Sequence, residues 1–294
     1  MDTTTDIINT TAVYSNTFFN IVFFVIITII YLVFKPQIAL KNVNEEEMQN
    51  YNRKSYIMLI IYFVITLFSQ FFINIYILVM KCQGNISKNL KKAALITFLP
   101  WSFVFGTIIG ILVVFPGFKS VFSDVIGYFV VSNTANKILS RLLTDSSTKE
   151  VIDNISENSE IKKKDYERAA EAIIKLLGNI SLLINQIVPD NFNQYWETLK
   201  PLMKDQYKND ENEDTIELKQ NLYNSVVLKD NIGEFLWYIY TGILLISIVQ
   251  YYIVSGKCQR DRESMQKEYS EFLNTQKNIK DQQANTKTTY VRGP

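Results

Sequence analysis

The most reactive side chains in this sequence are two cysteines, and they sit in matching settings, Lys81-Cys82-Gln83 and Lys257-Cys258-Gln259. Such a pair can form a disulfide, carry two palmitoyl chains or match by coincidence, and spacing alone leaves all three open. Histidine is absent from the 294 residues, which removes the side chain most used for acid–base work near neutral pH and the commonest metal ligand. Two thiols cannot close a four-ligand zinc site, and without histidine the usual nucleophile–base triads cannot assemble. No phosphate-loop, GxSxG or HExxH pattern occurs. Glu167 and Glu171 stand four residues apart and can share a helix face, but beside so many lysines the pair reads as solvated surface. The chain is therefore not expected to be an enzyme, and no cofactor or metal is expected. A net charge of +1 supplies no field that would gather nucleic acid.

What must position these side chains is a set of long apolar blocks. A hydrocarbon layer about 30 Å thick needs about 20 apolar residues in a helix. Four runs without Asp, Glu, Lys or Arg meet that length: Thr17 to Phe34, Tyr56 to Met80, Ala93 to Phe115 and Phe235 to Val254. The sequence thus predicts an all-α polytopic membrane protein with four transmembrane helices and a helical extramembrane domain between the third and fourth. Its organisation reads as a three-span region (1–116), a water-facing domain (117–233), a fourth span (234–256) and a charged tail (257–294). No cleavage site follows the first span, so it is expected to stay in the mature protein. Pro100 is placed to start or kink the third span, and Pro116-Gly117 to end it. Within the third span, Gly106 and Gly110 match GxxxG, a pattern that lets helices approach closely, within one chain or between copies. The stretch Val121 to Val131 is too short to cross and carries Asp124. It reads equally as an interfacial or re-entrant segment or as an amphipathic element of the soluble domain.

Four crossings put the N-terminus, the Lys81 to Lys92 loop, the tail and both cysteines on one side, with the large domain on the other. Basic residues near the spans are almost evenly divided, so the positive-inside rule leans only slightly, toward a cytosolic tail side. In the large domain, Ile173, Leu177, Ile180, Ile184 and Ile187 recur at helical spacing and predict a helix from about Asp165 to Val188. Pro189 stops it, and Asp190 is placed to cap a helix over Asn191 to Leu199. A further helix is expected over Asp214 to Val227, and a charged helix over Arg260 to Leu273 in the tail.

Two stretches carry a resemblance. Leu99 to Val131, LPWSFVFGTIIGILVVFPGFKSVFSDVIGYFVV, resembles a segment in membrane proteins of the large nucleocytoplasmic DNA viruses, where an aromatic-rich span runs into an FPGW/FKSxFS…GY junction. Ile184 to Lys200, INQIVPDNFNQYWETLK, is similar to the I-N-x-I-x-P-x-N-F-x-x-[YF]-W motif of the same group. In those icosahedral viruses, multispan inner-membrane proteins bind the membrane to the overlying capsid as minor capsid components. The resemblance implies a virion structural role, with the lipid bilayer and capsid or other minor capsid proteins as partners. It implies residence in the virion inner membrane and in host-derived, endoplasmic-reticulum-like membrane. The alternative is a homo-oligomeric viral channel or membrane-remodelling protein.

Overall fold

The computed structural model describes residues 3–40, 45–82, 86–143, 180–256 and 262–285. Among them the regular structure is helical, joined by short irregular stretches, with one isolated antiparallel bridge between Leu143 and Met203. The helices are α1 (Thr3–Phe34), α2 (Glu45–Cys82), α3 (Ile86–Pro100), α4 (Gly106–Val114), α5 (Ser120–Phe122), α6 (Tyr128–Leu142), α7 (Ile180–Gln186), α8 (Phe192–Leu199), α9 (Glu213–Ser255) and α10 (Arg262–Asn285). Four segments are long and apolar enough to cross a bilayer: Thr17–Phe34, Glu46–Cys82, Asn89–Val114 and Glu213–Ser255. Their outward faces leave Phe18, Ile30, Ile60, Phe72, Phe103 and Leu244 exposed, apolar surface of the kind a bilayer covers. The chain is a polytopic membrane protein.

The third span is α3 and α4 joined through a π-helical turn at Trp101–Phe105. Pro100 has no N–H and its ring displaces the carbonyl four residues back. The helix absorbs this by widening for one turn, in which the Gly106 N–H reaches the Trp101 carbonyl. The span ends where expected, with Pro116–Lys119 forming a 3₁₀ turn.

The water-facing domain packs α6, α7, α8 and the first half of α9 around Ala135, Leu139, Ile184, Ile187, Phe192 and Trp196. The second resembling stretch thus supplies core side chains. Of the stripe expected from Asp165 to Val188, Ile184 and Ile187 are buried, whereas Ile173 and Leu177 lie outside the described residues, as do Glu167 and Glu171.

Three expectations need correction. Asp190 does not cap α8; the helix begins at Phe192. The neighbouring Asn191 instead accepts from the Val188 N–H (2.8 Å) and donates to the Gln186 carbonyl (3.1 Å), closing the turn at Pro189. The helix expected over Asp214 to Val227 does not stand alone, because α9 runs without a break from the domain through the fourth span. Its 43 residues make a rod roughly 65 Å long at 1.5 Å per residue. Asn212 caps it by accepting from the Asp214 N–H at 3.1 Å. The tail helix α10 is longer than expected, running to Asn285.

The Val121 to Val131 stretch is not re-entrant. It continues through a π-helical turn (Ser123–Gly127) into α6 and runs antiparallel along α9, away from the bundle. Gly127 and Gly233 permit the close approach: a Cβ on Gly127 would lie 2.6 Å from the Lys229 carbonyl, and one on Gly233 2.7 Å from the Lys119 carbonyl.

Candidate functional site

Where the four spans meet the water-facing domain, charged side chains from three segments converge out of solvent. Glu234, one residue before the apolar run of the fourth span, is 5% exposed. Its carboxylate accepts from Tyr31 Oη (2.9 Å) and Lys35 Nζ (2.9 Å) at the end of α1. Lys119 Nζ, in the turn after the third span, lies 3.3 Å from the same carboxylate and 2.8 Å from Asp230. Lys35 also donates to Asn231 Oδ1 at 2.8 Å. Two ammonium groups thus face two carboxylates, and the cluster is neutral as a unit. Burial by itself would lower the pKa of Lys119, but Asp230 and Glu234 more than offset it and hold the ammonium above its ordinary value.

One turn further into the domain, the fully buried Lys229 donates to Asp124 Oδ1 (3.0 Å) and to the carbonyls of Ile184 (3.0 Å) and Asn185 (3.3 Å). Asn185 returns a bond to the Asp124 carbonyl at 3.0 Å. Asp124, the charge that bars Val121 to Val131 from crossing, is therefore an internal partner. Lys229 ties α9 both to the junction after the third span and to the end of α7.

Inside the bundle the polar groups are neutral. Thr28 and Tyr62 share a bond at 3.0 Å, and Tyr62 stacks on Tyr31 with ring centroids 4.4 Å apart. Toward the opposite membrane surface, Gln70 donates to Asn20 (2.8 Å), Asn74 to Thr97 (2.9 Å) and Gln250 to Asn74 (3.2 Å). Every span contributes to this amide layer. Between the two levels Phe24, Trp101, Phe105 and Tyr238 fill the interior, Phe24 edge to face with Trp101 and Phe105, and Phe105 tilted against Trp101 and Tyr238. Phe24 lies so close to α9 that a Cβ on Gly242 would come within 2.2 Å of its ring. No protein-family model, curated protein or solved structure matches the chain.

The residues singled out in the sequence fall elsewhere. A Cβ on Gly106 would make an ordinary 3.7 Å contact with the Phe63 ring, and one on Gly110 would meet nothing within 4 Å. Among the described residues, Gly127, Gly233 and Gly242 make the tight contacts between helical segments. Cys82 is disulfide-bonded, and the chain's other cysteine, Cys258, lies outside the described residues. Next to it, Lys81 donates to the carbonyls of Ile253 (2.7 Å), Val254 and Gly256 (2.7 Å), binding the end of α2 to the end of α9. Among the described residues no three His, Cys, Asp or Glu side chains gather as a metal site.

Sequence reasoning missed the Lys35–Lys119–Glu234 cluster, although a signal existed. Each is among the first charges flanking a span, all three span ends lie on one side, and the signs are complementary. The arrangement binds and positions; it presents no group to a substrate. What it can do is hold the domain and the membrane bundle in one fixed relation.

Proposed function

We propose that this chain is a structural membrane protein that holds a helical domain rigidly against a bilayer. We further propose that its setting is the inner membrane of an icosahedral large DNA virus, where domain and tail anchor the membrane to capsid or minor capsid proteins. One observation carries the reading: α9 is a single rod shared by domain and membrane bundle, pinned at the boundary by Lys35, Lys119 and Lys229. A flexible linker would let the domain wander, whereas a continuous helix transmits position and load. The viral setting is supported by the two resembling stretches, one at the junction after the third span and one in the domain core.

The disulfide at Cys82 supports an orientation. Disulfides persist in oxidising compartments, so a tail side facing a lumen leaves the large domain on the cytosolic side, the side a capsid assembles on. This reverses the slight lean from basic-residue counts. Phe24, Trp101 and Phe105 occupy the interior of the single bundle between the two polar levels, so the channel alternative requires a pore between copies of the chain.

Cross-linking mass spectrometry on intact particles or isolated membranes tests the anchor, with lysines of the domain and tail mapped separately. The expected result is reproducible links from the domain to capsid proteins. Links among copies of this chain alone, in well-sampled data, would overturn the anchor, and conductance of purified protein in planar bilayers would then favour the channel.

A further inference from the structure

The helical segment after the third span has two unlike faces. Its inner face, Ser123, Gly127 and Val131, is buried against α9. Its outer face is apolar and bare: Val125 is 68% exposed and Phe129 81%, with Val121, Ile126 and Val130 beside them. The one charge between Val121 and Val130, Asp124, is paired with the buried Lys229 and keeps 31% of its side chain exposed. Beyond Val130 the same side of the helix becomes Asn133, Thr134 and Lys137, all exposed. The face therefore has a sharp upper edge.

Its height can be read against α9. The Lys119 carbonyl lies beside Gly233, Gly127 beside Lys229, and Val131 joins Val226 in the domain core. Moving from Gly233 to Val226 climbs about 10 Å at 1.5 Å per residue. The lower end stands at the Lys35–Lys119–Glu234 layer, where α1 ends. A headgroup layer is about 5–7 Å deep on each side of the hydrocarbon core. The bare face thus rises through the depth of the headgroups, and it follows in the chain the exposed apolar side chains Phe103, Val114, Phe115 and Phe118. The α2 side differs at this height. Tyr51 lies within electrostatic reach of Lys119, Asp230 and Glu234, and its neighbours Glu47, Asn52 and Arg53 are exposed.

We propose that Val121, Val125, Ile126, Phe129 and Val130 form a second bilayer-contact surface, a shoulder immersed among the lipid headgroups and upper acyl chains on the domain side. Burial of these side chains in lipid recovers the hydrophobic free energy that water contact forfeits. The apolar boundary of the protein is then higher on the shoulder than on α2, and a bilayer meets such one-sided mismatch by tilting the protein or thickening locally. The inference rests on the four spans crossing a bilayer and is independent of any capsid partner.

The test is the full-length chain in phosphatidylcholine vesicles, carrying a nitroxide on one introduced cysteine at Val125 or Phe129 in a Cys82→Ser, Cys258→Ser background. Phe103 serves as the lipid reference and Asn52 as the water reference. Collision with oxygen, which concentrates in lipid, is compared with collision with a water-soluble nickel chelate. The expected result is an oxygen-to-nickel ratio at both shoulder sites several-fold above that at Asn52 and approaching that at Phe103. A ratio equal to that at Asn52 places the face in water and overturns the proposal. Low collision with both reagents means protein covers the face and overturns it equally. A water-like ratio at Phe103 removes the span assignment along with the shoulder. Phe129→Trp in the chain with native cysteines gives a second reading: brominated acyl chains should quench the added emission, and absence of quenching overturns the proposal.

Discussion

The boundary cluster and the amide layer toward the opposite membrane surface both bring polar side chains from separate helices out of water, yet they are built differently. At the boundary, full charges are used, and each of Lys35, Lys119 and Glu234 has at least two partners. In the amide layer, Asn20 Nδ2, Gln70 Oε1 and Gln250 Oε1 are buried and lack a partner among the described residues. The difference follows from the cost of error. An unpaired charge in a low dielectric costs several kcal/mol, so charges sit where the domain and three span ends can surround them. A neutral amide costs far less to leave incompletely bonded, and can sit deep in the bundle.

Breaking the charged layer should have the largest effect. Glu234→Leu leaves Lys35 with the neutral Asn231 and Lys119 with Asp230, and is expected to cost about 3–5 kcal/mol, measured by denaturant unfolding in detergent followed by circular dichroism. A loss no larger than that of an amide variant would show that water reaches the cluster and that the two layers are energetically alike. Overpacking between the layers comes next. Gly242→Ala puts a methyl group against the Phe24 ring and should cost about 1–3 kcal/mol, with Phe24→Leu recovering part of the loss in a double-mutant cycle. Gly110→Ala meets nothing and should stay within about 0.5 kcal/mol in the monomer. If Gly110→Ala instead lowers the oligomeric mass in detergent, the GxxxG pattern packs copies together.

Gln70→Leu, which removes the bond to Asn20, is expected to cost only about 0.6 kcal/mol, and at most about 1.7, in the same unfolding assay. Titration sharpens the contrast further. Because the Lys119 pKa is raised on folding, its contribution is fully present below the unfolded lysine value of about 10.4 and is lost as pH rises through the folded value. Unfolding measured against pH should therefore show no loss from Lys119 at neutrality and a decline above about pH 10 that is reduced in Lys119→Met. The amide layer has no group that titrates there.

Much of the architecture was legible. The charge-free runs marked the spans, and Ile184 and Ile187 stood at helical spacing and face the domain core. The unbroken α9 was not legible, because composition changes abruptly at Gly233 while the helical repeat does not. Asp190 and Asn191 are both good cap residues, and only the path of the turn at Pro189 chose between their roles. The motif glycines Gly106 and Gly110 were visible in the sequence but have no tight neighbour among the described residues. Gly242 belongs to no motif and has the closest one.

By itself, the sequence determined which runs are long and apolar enough to cross a bilayer, and that histidine chemistry is unavailable. Those properties depend on run length against bilayer thickness and on residue inventory, which are one-dimensional. Only the tertiary structure decided that Lys35, Lys119 and Glu234 share one buried cluster, that Asp124 pairs with the buried Lys229, and that Val125 and Phe129 turn outward. These outcomes depend on the rotation of each helix about its axis and on how closely its neighbours approach. Both are set by the summed packing of residues far apart in the chain, a quantity no local pattern carries.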